Sequence, residues 1–157
     1  MLLPCLLLLE DIEKEVPKHS YNLGASLLAC GDVAGFSVSL DEKSNYVVYS
    51  CFVHSELTSM KWYLVKIHHR DDFFSDPICT CYAVYNERKC KHVACLLFTI
   101  HSLLYFQEST TPPKLFRRKK MKCFENASRT MKDEVDYDLT WQGVIARILN
   151  PPPKKRN

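Results

Sequence analysis

The amino-acid sequence predicts an α+β fold: N-terminal helices, a small antiparallel β-meander, a cysteine- and histidine-bearing knuckle, a helix directly after it, and a basic C-terminal tail. Three observations predict it. Apolar residues recur at helical spacing near both ends of the chain, and the middle alternates with a period of two. Between them, Cys79, Cys81, Cys90 and His92 fall in one short run just ahead of an apolar stretch.

In chain order, residues 5–16 predict a helix, because Leu8, Ile12 and Val16 share a face and Pro17 stops the run. A second short helix is expected over 23–30, with Leu23, Leu27 and Cys30 on one face and Gly31 as its C-terminal stop. The period then changes. Phe36, Val38 and Leu40 alternate with Ser37 and Ser39, which is a strand pattern, and residues 41–45 form a turn. Residues 46–53 are β-branched and aromatic, as a buried strand requires. Trp62 to Ile67 makes a third strand, and residues 70–77 are expected to be a loop that delivers Cys79. A helix follows over about 90–105, beginning at the second ligand pair.

The ligand run reads C-x-C-x8-C-x-H. In Cys-x-Cys on an extended segment, both side chains lie on the same face, so Cys79 and Cys81 can reach one metal. Cys90 and His92 supply the second pair. Three thiols and one imidazole form the donor set of a closed, tetrahedral, structural Zn²⁺ site, and such a set leaves no position for an activated water. The expectation is one structural zinc and no catalysis. A disulfide framework is the competing reading of the cysteines, and four unrelated side chains is the blander one.

The chain has 157 residues, 46% of them apolar, with net charge +3 and a pI near 8.4. That suits one domain with tails. The organisation expected is an N-terminal helical segment over 1–30, a zinc-finger domain over 31–105, and a basic linker, amphipathic helix and tail over 106–157. Eight cysteines, four of them assigned to zinc and the rest scattered, fit a reducing compartment. The leucine-rich start lacks a preceding basic residue and a small-residue cleavage site, so a secretory signal is not expected. No stretch reaches the roughly 18 apolar residues of a membrane span, so no membrane partner is expected, and no small-molecule substrate is evident.

The ligand run followed by Val93-Ala94-Cys95-Leu96-Leu97-Phe98 resembles a SWIM-type zinc finger, a family defined by CxCx(n)CxH in a ββα arrangement. The likeness extends upstream through Gly31-Asp32-Val33, the strand to Val53, His54-Ser55 and Trp62 to Ile67. That part resembles the SWIM domain that precedes YqaJ-like nucleases, and the whole likeness covers about residues 23–103. The resemblance implies that Cys79, Cys81, Cys90 and His92 bind zinc and that the module binds DNA or protein. Two departures stand out: residues 82–89 contain no glycine, and Cys95 stands where alanine is usual. Only about 50 residues follow the finger, too few for the nuclease domain. The alternative expectation is therefore a recognition fragment of a larger SWIM-containing nuclease or transposase.

Lys114, Arg117, Arg118, Lys119, Lys120 and Lys122 form a dense basic run, and Lys154-Lys155-Arg156 a second one. Such runs bind phosphates, act as nuclear localisation signals, or are simply solvated. Together they point to the nucleus rather than the cytoplasm, with DNA as one candidate partner. Residues 139–149 place Trp141, Val144, Ile145, Ile148 and Leu149 on one helical face, which either packs on the core or receives a protein partner. Asp133, Glu134, Asp136 and Asp138 read as a solvated acidic face. Cys95 reads as core or as a replacement ligand. His68, His69 and His101 read as surface or ordinary helix residues, and Trp62 as core or a base-stacking ring.

Overall fold

The computed structural model describes residues 9–54, 61–70, 73–81, 90–106 and 141–152. It is α+β: helices α1 (Leu9–Glu15) and α2 (Lys18–Ala29), strands β1 (Val33–Asp41), β2 (Tyr46–His54), β3 (Trp62–Arg70) and β4 (Phe73–Cys79), then α3 (Lys91–Phe106) and α4 (Trp141–Leu149). The strands form one antiparallel sheet in the order β1-β2-β3-β4.

The meander thus has four strands, not the three expected. The segment read as a loop over 70–77 is mostly β4, which pairs Phe74 with His69 and Ile78 with Lys66. Its register shifts between Lys66 and His68, and it holds Pro77, which lacks an amide proton. An edge strand tolerates such a residue because one side of its backbone has no ladder to complete.

The second helix also begins five residues earlier than expected. Pro17, with φ −59° and ψ 149°, occupies its N-cap, so one proline both ends α1 and opens α2. At the other end Gly31 takes φ 75°; its amide donates to the Leu28 carbonyl and the Asp32 amide to the Leu27 carbonyl. This paired closure satisfies carbonyls that would otherwise be orphaned and turns the chain into β1.

Alternation of side chains gives the sheet two distinct faces. Tyr49, Cys51 and Val53 on β2 and Val65, Ile67 and His69 on β3 are buried on the inner face. Residues from all four helices join these in one core: Ile12, Leu27 and Leu28, Leu96 and Phe98, Val144 and Ile148, with Val16 just past α1. Helix α2 crosses α3 closely at Gly24, where a Cβ would stand 2.7 Å from the Ala94 Cβ. Helix α4 packs along β1. There the register slips between Ala34 and Ser37, Gly35 adopts φ 64°, and its amide donates to the Asn150 carbonyl just past the helix. The amphipathic face predicted over 139–149 is therefore a packed one: Val144, Ile145 and Ile148 are buried, while Leu149 is 41% exposed.

Of the two histidines expected at the surface, His69 differs plainly and His68 in part. His69 lies buried on the inner face, against the Phe74 ring at 4.7 Å, because it shares the two-residue period of Val65 and Ile67. His68, one residue earlier, is half-buried on the opposite face beside the Tyr46 ring. His101 is buried within α3. No helix among the described residues is long and apolar enough to cross a membrane.

Candidate metal centre

Two structural junctions converge on the candidate metal site. The first is the end of β4. Thr80, between Cys79 and Cys81, is tied to β3 twice: its amide donates to the Leu64 carbonyl (3.2 Å), and its hydroxyl oxygen accepts from the Leu64 amide (3.1 Å). Those bonds fix the outward residue of Cys-x-Cys, and both sulfurs are left on the inner side. The Cys81 amide also donates to the Cys79 sulfur.

The second junction is the start of α3. Cys90 sits at the N-cap position. Its carbonyl accepts from the Ala94 amide at 3.1 Å and its sulfur from the Val93 amide. A sulfur at this position takes the place of the usual capping oxygen, and the positive end of the helix favours its thiolate. His92, two residues on, turns its Nδ1 toward both sulfurs: 3.6 Å from Cys79 and 3.7 Å from Cys90.

The four side chains are each at most 6% exposed, and their ligand atoms all lie within 4.8 Å of one another. This donor set fits zinc. Bond lengths of roughly 2.3 Å to sulfur and 2.0–2.1 Å to nitrogen in a tetrahedron place sulfur and nitrogen about 3.5 Å apart, close to the two separations observed. With Nδ1 facing the sulfurs, Nε2 is the nitrogen that carries the imidazole proton in a metal complex. The same ring packs on Tyr63, centroid to centroid 4.8 Å, and the Lys61 Nζ lies over the tyrosine ring, 5.1 Å from its centroid.

The Cys79 and Cys90 thiols are shifted in opposite directions. A hydrogen bond from Cys79, opposed by burial, holds the Cys90 thiol well below its ordinary value, and His92 adds to the effect. The same bond, followed by burial, pushes Cys79 up. A divalent cation bound among these sulfurs would displace thiol protons and neutralise the thiolate charge.

Cys51 and Cys95 are different. Cys51 stands in one cross-strand row with Val65 and Cys79, and Cys95 is fully buried in α3. Burial pushes both thiols up, and neither belongs to the four-residue group. They act as small apolar residues in the core. Cys30, at the C-cap of α2, is disulfide-bonded, which corrects the expectation of scattered free thiols. His54 is buried and faces Asp32, Nδ1 to Oδ1 3.6 Å, with the Trp62 ring 4.8 Å away.

Sequence reasoning singled out the four ligands and overlooked Tyr63 and Thr80, which position them. Tyr63 lies at two-residue spacing from Val65 and Ile67, a signal for the inner face. The basic residues Lys114, Arg117, Arg118, Lys119, Lys120 and Lys122 lie outside the described residues, as do the acidic cluster over 133–138 and the loop over 82–89. No protein-family model, curated protein or solved structure matches this chain.

Proposed function

We propose that this chain is a zinc-stapled binding module of the SWIM type, non-catalytic, that engages DNA in the nucleus. The observation that supports it is the buried Cys3His cluster joining the end of β4 to the first turn of α3. Cys79, Cys81, Cys90 and His92 would hold one Zn²⁺. Bound there, the ion supplies a rigid cross-link and neutralises thiolate charge. A closed set of four protein donors offers no coordination position to a substrate, which favours binding over catalysis. The order of elements supports the SWIM reading: a strand pair, a Cys-x-Cys at a strand end, and a Cys-x-His opening a helix. Nucleic acid as the partner, and the nucleus as the site of action, rest on the basic runs at 114–122 and 154–156.

The decisive experiment is zinc stoichiometry by mass spectrometry on the native chain and on Cys90→Ser, with a melting curve for each. One zinc per native chain, lost together with cooperative melting in Cys90→Ser, is the expected result. A variant that keeps stoichiometric zinc and an unchanged melting curve would sink the proposal. A fluorescence titration against DNA at two salt concentrations tests the partner. Binding that weakens steeply with salt supports DNA, and binding absent at low salt removes it.

A further inference from the structure

Cys79 and Cys90 approach each other from the two elements that the metal centre joins. Cys79 ends β4, and Cys90 directly precedes α3. Both are free thiols, and a hydrogen bond links their sulfurs. The sulfurs lie within 4.8 Å of each other, and the His92 Nδ1 is nearly equidistant from the two, at 3.6 and 3.7 Å. A covalent bond between these sulfurs would therefore close the same junction that a bound metal closes.

The neighbouring thiols are placed less well for such a bond. Disulfide geometry tolerates only a narrow range of Cα separations and Cβ directions. A bridge from Cys79 to Cys81 would have to close over Thr80, whose two hydrogen bonds to Leu64 pin the backbone between them. Cys51 and Cys95 are 0% exposed and stand outside the four-residue group. Cys79, Cys81 and Cys90 keep 6%, 5% and 3% exposure. That is a narrow opening, matched to an oxidant of the size of hydrogen peroxide.

We infer that Cys79 and Cys90 form a redox-sensitive staple, oxidised by a hydroperoxide to a disulfide with release of the bound Zn²⁺. One sulfur attacks hydrogen peroxide; the O–O bond breaks, a sulfenic acid forms, and one water leaves. The second sulfur attacks the first; the S–O bond breaks, the S–S bond forms, and hydroxide leaves as a second water. The two thiolates give up two electrons to the peroxide, and two solvent protons complete the two waters. Cys81 and His92 are then the only donors left, half of a tetrahedral set, and the site releases its ion. The junction between β4 and α3 stays closed, by sulfur in place of metal. The inference rests on the zinc reading above and adds the regulation of that site.

The test adds hydrogen peroxide to the full zinc-loaded chain. Released zinc is read with a colorimetric chelator, and bridges by peptide mapping without reduction. The expected result is one Zn²⁺ released for each Cys79–Cys90 bridge formed, with Cys51 and Cys95 still reduced and cooperative melting retained. A thiol reductant followed by zinc should restore the starting state. Cys81→Ser keeps both partners and should form the same bridge, whereas Cys90→Ser should form none. If Cys90→Ser fails to fold, the native chain and Cys81→Ser decide by mapping alone. Zinc retained under peroxide, a bridge between another pair, or sulfinic acid at Cys79 or Cys90 without a bridge overturns the staple and leaves the zinc reading standing. A native chain that binds no zinc overturns that reading; in it, a Cys79–Cys90 bridge still supports the staple, and its absence overturns both.

Discussion

Gly24→Ala tests the packing that carries the metal centre. Gly24 lies inside α2, so the substitution gains about 1 kcal/mol of helix propensity. Against that gain, the new Cβ would stand 2.7 Å from the Ala94 Cβ, 2.8 Å from the Cys95 nitrogen and 2.9 Å from the Ala94 carbonyl carbon. Carbon contacts become favourable only near 3.5 Å. Two of the three atoms are backbone, so no rotamer change relieves the clash, and α3 must retreat as a unit. Overpacking of this kind costs about 1–3 kcal/mol, here at the upper end. The net expectation is a loss of about 2 kcal/mol. Urea denaturation of the zinc-loaded chain, followed by circular dichroism, measures it; with a slope of roughly 1–3 kcal/mol per molar, the midpoint falls by about 1 M. Because Ala94 lies four residues after Cys90, zinc affinity should fall too. Ala94→Gly in the same chain removes one of the three clashing atoms and should recover part of the loss. A Gly24→Ala protein as stable as the native one, or more so, would refute this close approach of α2 and α3.

Other perturbations probe separate parts of the fold. Ile148→Ala, at a fully buried position in α4, should cost about 2–5 kcal/mol; the Gly35 amide, which donates to Asn150, should exchange with solvent faster, and unchanged exchange would count against the docking. Gly35→Ala forces a side chain to φ 64° against the Phe52 ring, with an expected loss of about 1–3 kcal/mol readable as a lower melting temperature. Burial raises the Cys51 and Cys95 thiols above their ordinary value near 9, so their contribution is complete below pH 9 and is lost as pH rises beyond it. Unfolded-state ionisation then erodes stability by at most about 1.4 kcal/mol per pH unit for each thiol. Cys51→Val should flatten that decline between pH 9 and 10.5, and an equally steep curve would contradict the assignment.

The ligand run and α3 were legible because both depend on local rules: side chains two apart on an extended segment share a face, and a helix needs a start. Gly31 was legible for the same reason, since a left-handed residue at a helix end favours glycine. β4 was not. Pro77 and the aspartates around it are loop signals in isolation, and only pairing with β3 at the sheet edge makes a strand of them. The start of α2 was missed because Pro17 reads as a stop, although a proline also serves as an entry. His69 was misplaced although the two-residue period that buries Val65 and Ile67 reaches it. Nothing in the spacing of the cysteines shows that Cys30 is disulfide-bonded, because pairing is settled by three-dimensional approach.

The hydrogen bond between Gly35 and Asn150 has a consequence for solubility. A sheet of four strands has two borders, and each is a template for unwanted pairing with another chain. Pro77 blunts one border from within β4. The other border, β1, contacts α4 and, among the described residues, is joined to its end by the Gly35–Asn150 hydrogen bond. A chain shortened to end at Phe106 would keep the four candidate ligands and lose the contacts of α4 with β1, where Leu40 is already 59% exposed. Such a piece is expected to pair strand to strand with its own copies. The C-terminal helix is thereby expected to guard the sheet against pairing with its own copies.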